Sequence, residues 1–171
     1  LAIDLSLSSL AYAKRKSEEL NIKNIDYIQA DILNLDKLDR QFDIVESVGV
    51  LHHMDNPIAG WTVLKNCLKP GGLMRIGLYS AMGRNVIAKV RNEISNLRLG
   101  SNNQQMRLFR EQIINSTEEH HNIIKNYTDF YSLSEFRDLL FHVQEHRLDL
   151  PKIKHYLATL SLSFSGFELK K

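Results

Sequence analysis

The sequence contains a single cysteine, Cys67, which excludes an internal disulfide and fits a reducing compartment, so a cytoplasmic location is expected. No apolar run approaches the roughly 20 residues that a membrane span requires, and the N-terminus lacks the basic, apolar, small-residue order of a signal peptide. These absences predict a soluble chain with no membrane partner. Excess charge is missing as well. Lys and Arg total 22 against 20 Asp and Glu, which gives no electrostatic case for nucleic acid or an anionic surface. Nor is there a dense basic stripe with interleaved aromatics. No internal repeat, low-complexity tract or linker rich in Gly, Pro or Ser divides the 171 residues, a length within the range of about 100 to 200 expected of one domain.

What is present falls into two regimes of periodicity. From Leu1 to about Ser80, short apolar runs alternate with amphipathic stretches: "LAID", a helix to about Leu20, "IDYIQAD", "FDIVESVGVL", a helix beginning near Pro57, and "LMRIGLYS". Such alternation predicts an α/β fold, a parallel sheet covered by helices. "KPGG" at 69–72 predicts a helix end and a tight turn into the next strand, because Pro stops a helix and Gly accepts positive φ. Cys67 falls in the helical pattern just before it.

Beyond Ser80 the period becomes helical, with Val86, Val90, Ile94 and Leu97 on one face and Met106, Phe109 and Ile113 on another. "SLSE" at 132–135 is a capping-box pattern, in which Ser132 accepts from the amide of Glu135 and Glu135 reaches back. The helix it starts should bury Leu133, Phe136, Leu140 and Val143. A further helix is expected from about Pro151, with Ile153, Tyr156, Leu157 and Leu160 inward, and "FSGFEL" is the last strand candidate. Residues 1–80 thus read as an α/β core, 81–148 as a helical insertion or cap, and 149–171 as a return helix and strand within one domain.

In open α/β sheets, ligands sit beyond the carboxyl ends of the strands. Asp4 ends the first apolar run, Asp31 the second, Glu46 to Val48 lie in the third, and Tyr79 ends the fourth. A carboxylate at the first position can accept two hydrogen bonds from a vicinal ribose diol. An acid after the next strand, followed by Ile32, can accept from an adenine amino group while the aliphatic side chain packs on the ring. Each acid alone has an equally simple structural reading as a helix cap or turn residue.

"AIDLS", "QADIL", "FDIVESVGVLHHMDNP" and "LKPGGLMRIGLYS", in that order, resemble the second half of a class I S-adenosylmethionine-dependent methyltransferase over about the first 80 residues. The remainder, including "DLLFHVQEHR" and "LPKIKHYLATLSLSFSGFEL", is similar to the methyltransferase module that follows tetratricopeptide repeats in some bacterial proteins. The resemblance implies S-adenosyl-L-methionine as cofactor and a Rossmann-like sheet with a helical insertion after the fifth strand. It also implies repeats as possible neighbours in the full-length chain. It places Asp4 on the ribose hydroxyls with Leu5 beside the adenine, Asp31 and Ile32 on the adenine edge and face, and Glu46, Ser47 and Val48 at the methionine end. One departure matters. The family begins with a strand and a glycine-rich loop, whereas the first glycine here is Gly49. The family's sheet puts that strand at its centre, between those of "LAID" and "DIVES". It would also continue past "FSGFEL" into a pairing strand, so the sheet is expected to be incomplete at both ends and these residues alone to be inactive.

Methyl transfer from a sulfonium is an in-line displacement, so alignment and exclusion of water supply most of the catalysis. Where the acceptor carries a proton, His52 in "LHHMDNP" is the candidate base, ahead of His53; the structural alternative is that the histidines only pack or hydrogen-bond the loop. A metal reading of this pair is poor, because adjacent side chains diverge and no cysteine or carboxylate ligand set accompanies them, so no metal is expected. In the helical layer, Tyr131 and His142 join Tyr79 as acceptor-side candidates, with His142 and His146 sharing a face if that stretch is helical. The acceptor is unspecified. Two other classes compete: a non-catalytic methyltransferase-like interaction module, supported by the missing glycine loop, and a nicotinamide-dependent oxidoreductase, which leaves Asp31 and "VLHH" before "LKPGG" without an account.

Overall fold

The computed structural model describes residues 1–142 and 144–168. The chain forms two compact units, one comprising Leu1–Leu51 with Asn56–Gly77, the other His52–Asp55 with the chain from Leu78 onward. Among the described residues no helix is long and apolar enough to cross a membrane.

In the first unit, β1 (Ala2–Asp4) leads into helix α1 (Leu7–Glu19) and then β2 (Tyr27–Gln29), which pairs parallel to β1 with Asp4 opposite Gln29. Ser6 starts α1 by accepting from the Ser9 amide at 3.2 Å, which satisfies one of the first-turn donors. After a 3-10 turn at Ile32–Leu38, strand β3 (Phe42–Val48) pairs parallel to β4 (Leu68–Gly77) through helix α2 (Pro57–Asn66). Pro57 enters α2 where its missing amide hydrogen costs nothing, and the cap is Asn56. The buried face of α2 is Pro57, Gly60, Trp61 and Leu64, with the Trp61 indole N–H 3.1 Å from the Met74 sulfur on β4.

The expected turn at "KPGG" is instead part of β4. The register jumps from Phe42 opposite Leu68 to Ile44 opposite Leu73, so the extra residues bow out of the ladder, with Gly71 at φ +76°. Cys67 is buried at the end of α2, and burial raises its thiol pKa, the mark of a packing residue rather than a nucleophile.

In the second unit, β5 (Tyr79–Ser80) pairs parallel to β6 (Arg147–Leu148). The helices are α3 (Asn85–Asn96), α4 (Asn103–Asn115), α5 (Glu119–Ile124), α6 (Leu133–Leu140) and α7 (Leu150–Thr159). Their core is Ile87, Val90, Ile94, Met106, Phe109, Ile113, Ile124, Phe130, Phe136, Leu139 and Leu140. The expected Met106, Phe109 and Ile113 face is buried, but α3 turns Ile87 inward and leaves Leu97 58% exposed, because the helix ends before Leu97.

Ser132 does cap α6 in position, yet its hydroxyl pairs with Ser134 at 2.9 Å and makes no capping bond, so the expected capping box is not formed. Val143 lies outside the described residues. The stretch at His142 and His146 is not helical, since α6 ends at Leu140, and the shared helical face expected for this pair does not exist. In α7, Ile153, Tyr156 and Leu157 are half-buried, and Leu160 just beyond it is buried. The expected strand "FSGFEL" is not formed over 164–168, where Phe164 and Phe167 are exposed and no ladder partner among the described residues engages the backbone; Leu169 lies outside the described residues.

Candidate functional site

The first unit gathers its acids at one end of a parallel pair. Asp4 is the last residue of β1 and Asp31 follows β2 by two positions, so both carboxylates stand at the carboxyl ends of adjacent strands. Each does local structural work with one oxygen. Asp4 Oδ1 accepts from the Ser6 amide and Asp31 Oδ1 from the Leu33 amide, both at 2.8 Å. An ionised carboxylate has about four acceptor sites, so each retains capacity for a ligand while its local bond fixes its rotamer. The structural and functional readings of these acids are therefore compatible. Leu5 is exposed and Ile32 half-buried beside them. The Gln29 side chain donates to Leu5 O at 2.9 Å and ties the two strand ends together.

Glu46, Ser47 and Val48 close β3 at its carboxyl end. The Glu46 carboxylate is held by Arg75, its partner across β3 and β4, at 2.6 Å. That leaves the Glu46 backbone, more than its carboxylate, to line a ligand. The Ser47 hydroxyl is buried with no hydrogen-bond partner among the described residues. Val48 packs against Gly77 so closely that an added Cβ there would lie 2.7 Å from Val48 Cγ1. Gly77→Ala is expected to push β3 and β4 apart and cost about 1–3 kcal/mol in urea unfolding, the range for overpacking; an unchanged midpoint would contradict that packing.

The second unit brings together three of the other named residues. His52 is buried, and its ring stacks on Tyr79 with centroids 3.8 Å apart and meets His53 edge-on. His53 stacks on His142 at 4.0 Å and its Nδ1 pairs with Gln144 O at 3.0 Å. The His146 amide donates to His52 O at 2.7 Å, pinning the histidine turn to the segment before β6. Tyr79 is sandwiched, since the Arg84 guanidinium lies 3.8 Å over its ring centroid. Tyr131 is not part of this group. It is 69% exposed and its hydroxyl donates to Lys125 O at 3.0 Å.

Behind Tyr79 is an ion cluster that periodicity did not reveal. Arg84 forks onto Glu145, Nη2 to Oε2 at 2.6 Å and Nε to Oε1 at 3.3 Å, and Arg91 reaches the same Oε2 at 3.0 Å while also donating to His142 O. Burial would raise the Glu145 carboxyl, but the Arg84 hydrogen bond and charge, with Arg91 and Arg147, outweigh it and hold the carboxyl below its ordinary value. A depressed folded pKa contributes stability that is fully present above the unfolded value and lost as pH falls through the folded one. Urea midpoints taken from about pH 7 to about pH 3 should fall across the carboxylate range, and fall less in Glu145→Gln. Equal slopes would contradict this role. The partners lie more than fifty residues apart in sequence, so no local motif announces them.

Residues 1–76 match the family model described as "Methyltransferase domain". Over 175 aligned residues the chain is 27% identical to an uncharacterized protein of Synechococcus sp., covering 97% of this chain and 42% of that protein. It is 31% identical over 70 residues to the mitochondrial ubiquinone biosynthesis O-methyltransferase of Dictyostelium discoideum, 40% of this chain and 22% of that enzyme. Among solved structures it is similar to PKMT2 from Rickettsia typhi, with a TM-score of 0.71 at 22% identity over 92% of this chain and 32% of that one. The same protein in complex with AdoHcy gives a TM-score of 0.68 over 91% of this chain and 32% of that one. The chain spans less than half the length of these relatives. Its fold is the α/β, Rossmann-like fold of a methyltransferase, and its first 76 residues carry the methyltransferase-domain pattern.

Proposed function

We propose that the protein transfers a methyl group from S-adenosyl-L-methionine to an acceptor. The observation that carries this reading is the placement of Asp4 and Asp31 at the carboxyl ends of adjacent parallel strands, each with one oxygen fixed locally and acceptor capacity left over. The match of residues 1–76 to a methyltransferase domain supports it, as does the likeness to a protein solved with AdoHcy. Bound S-adenosylmethionine supplies the activated methyl on its sulfonium. Asp4 holds the ribose diol with Leu5 beside the adenine, Asp31 and Ile32 hold the adenine edge and face, and the backbone of Glu46 to Val48 lines the methionine end.

His52 takes the proton of the acceptor where it has one, and Tyr79 and His142, stacked on the two histidines of the same turn, set the position of that base. Tyr131 remains an acceptor-side candidate by its exposure alone. The parallel strands β3 and β4 expose Ile44 (66%), Val48 (52%) and Leu73 (60%), whereas parallel strands are ordinarily covered on both faces. Further chain of the whole protein is the proposed cover.

The reading is tested by following tritium from S-adenosyl-[methyl-³H]methionine into acceptor fractions with the whole protein. At limiting cofactor, transfer should fall by at least about 10-fold in Asp4→Ala. With His52 as base, the rate should fall at acid pH, because a protonated imidazole cannot accept the acceptor's proton. A flat profile from about pH 5 to about pH 9 would remove His52 from that role. No transfer by a folded protein that also fails to retain the labelled cofactor would favour a non-catalytic module.

A further inference from the structure

Away from these residues, helices α3 and α5 enclose a second group of chemistry-bearing side chains. Glu93 on α3 and the adjacent pair His120 and His121 on α5 bring one carboxylate oxygen and two ring nitrogens within 4.8 Å of one another. Both histidines are buried. The Glu93 carboxylate is shared: Oε1 meets His120 Nε2 in a short contact and Oε2 lies 2.8 Å from His121 Nε2. Adjacent side chains on a helix diverge by about 100°, a consequence of 3.6 residues per turn, yet these two rings tilt together with centroids 4.3 Å apart.

We propose that Glu93, His120 and His121 bind one divalent transition-metal ion, with zinc the best match to two imidazoles and a carboxylate. The donor set is a three-ligand, nitrogen- and oxygen-based set of the kind that leaves a fourth position open. Ligand atoms at about 2.0–2.1 Å from such an ion stand about 3.3 Å apart in tetrahedral geometry, so the carboxylate must draw back from both rings to admit one.

The surroundings also suit an ion. Binding through Nε2 moves each ring proton to Nδ1, and both Nδ1 atoms have an acceptor nearby. His121 Nδ1 is 2.7 Å from Ser116 Oγ. His120 Nδ1 is buried without a hydrogen bond among the described residues, with Glu118 Oε2 4.0 Å away. The Ser116 contact is a second-shell acceptor of the kind that fixes ring orientation and strengthens the ligand. A cleft of about 430 Å³ lined by Asn85, Lys89, Asn92, Glu119 and His120 adjoins the group at His120. The ion would clamp α5 to α3, stabilising a six-residue helix too short to hold itself.

The test is a titration of the chelator-treated whole protein with Co²⁺ as probe. One equivalent should produce the visible d–d absorption of a low-coordinate site, and Zn²⁺ should displace it. Glu93→Gln, which keeps the shape and the hydrogen-bond acceptor, and His121→Ala should each weaken Co²⁺ binding by on the order of 100-fold or more, and Ser116→Ala by about 10-fold, the scale of second-shell losses. Absence of saturable absorption, or absorption that persists in both ligand variants, would overturn the site. If a variant fails to fold, the unaltered protein still decides: NMR of the Co²⁺ form should show paramagnetically shifted ring protons from His120 and His121, and shifts confined to other histidines would refute the assignment.

Discussion

Glu145→Gln is expected to destabilise the second unit by about 3–5 kcal/mol, the range for breaking a buried ion pair from one side. The Glu145 side chain is only 4% exposed, and its partners Arg84 and Arg91 are 13% and 19% exposed. Removing the one carboxylate leaves two largely desolvated guanidinium groups facing each other, so the loss comes less from the attraction forgone than from charges left uncompensated. Replacing all three residues by apolar ones of similar size should cost far less than the single change. The consequence reaches the histidine turn, because Arg84 also covers Tyr79 and Arg91 holds the His142 carbonyl. Circular dichroism during urea unfolding of the variant measures the loss; a change under about 1 kcal/mol, the scale of exposed pairs, would show the cluster to be solvated and weak.

Phe136→Ala should cost about 3–5 kcal/mol, the range for a large aromatic removed from a core that cannot collapse around the gap. Phe136 is fully buried on α6, meets Phe130 edge-on at 5.4 Å, tilts against Phe141 at 5.9 Å, and is approached by Arg110. It shares its core with residues from α3, α4 and α5. Since small domains have only about 5–15 kcal/mol of net stability, such a loss is a large fraction of the total. Phe167→Ala is the natural comparison, because that ring is 62% exposed and its removal should change the midpoint by less than about 0.5 kcal/mol. Equal effects from the two substitutions would contradict the described core.

Those two phenylalanines also show what the sequence made legible. Helical spacing placed Phe136, Met106, Phe109 and Ile113 in the core, because a helix that packs must present an apolar stripe. The parallel pairing of β1 with β2 and β3 with β4 was legible from apolar runs separated by helices. "FSGFEL" has the composition of a strand, but a strand exists only where a ladder partner meets it, and composition does not supply one. Ser132 illustrates a local competition: a neighbouring serine took the hydroxyl that the capping box required.

In the candidate site, Asp4 and Asp31 stand out in the sequence because each ends an apolar run and His52 because it follows one, whereas Tyr79, read as the end of "LMRIGLYS", lies in the separate strand β5 because β4 stops at Gly77. Glu145 with its two arginines, and Glu93 with His120 and His121, were not, since their partners come from distant segments and only the fold brings them together. The pair at 120–121 was visible as two consecutive histidines, but nothing nearby in sequence supplied the carboxylate.

The central claim is that Asp4 and Asp31 grip an adenosyl group, and isothermal titration of S-adenosylhomocysteine into the whole protein tests it most directly. The account predicts saturable one-to-one binding, weakened by at least about 10-fold in Asp4→Ala, since hydrogen bonds to a charged group are worth about 1.5–3 kcal/mol each. Asp31→Ala should weaken it separately. Binding that is unchanged in both folded variants, or absent from the folded protein, would contradict the account.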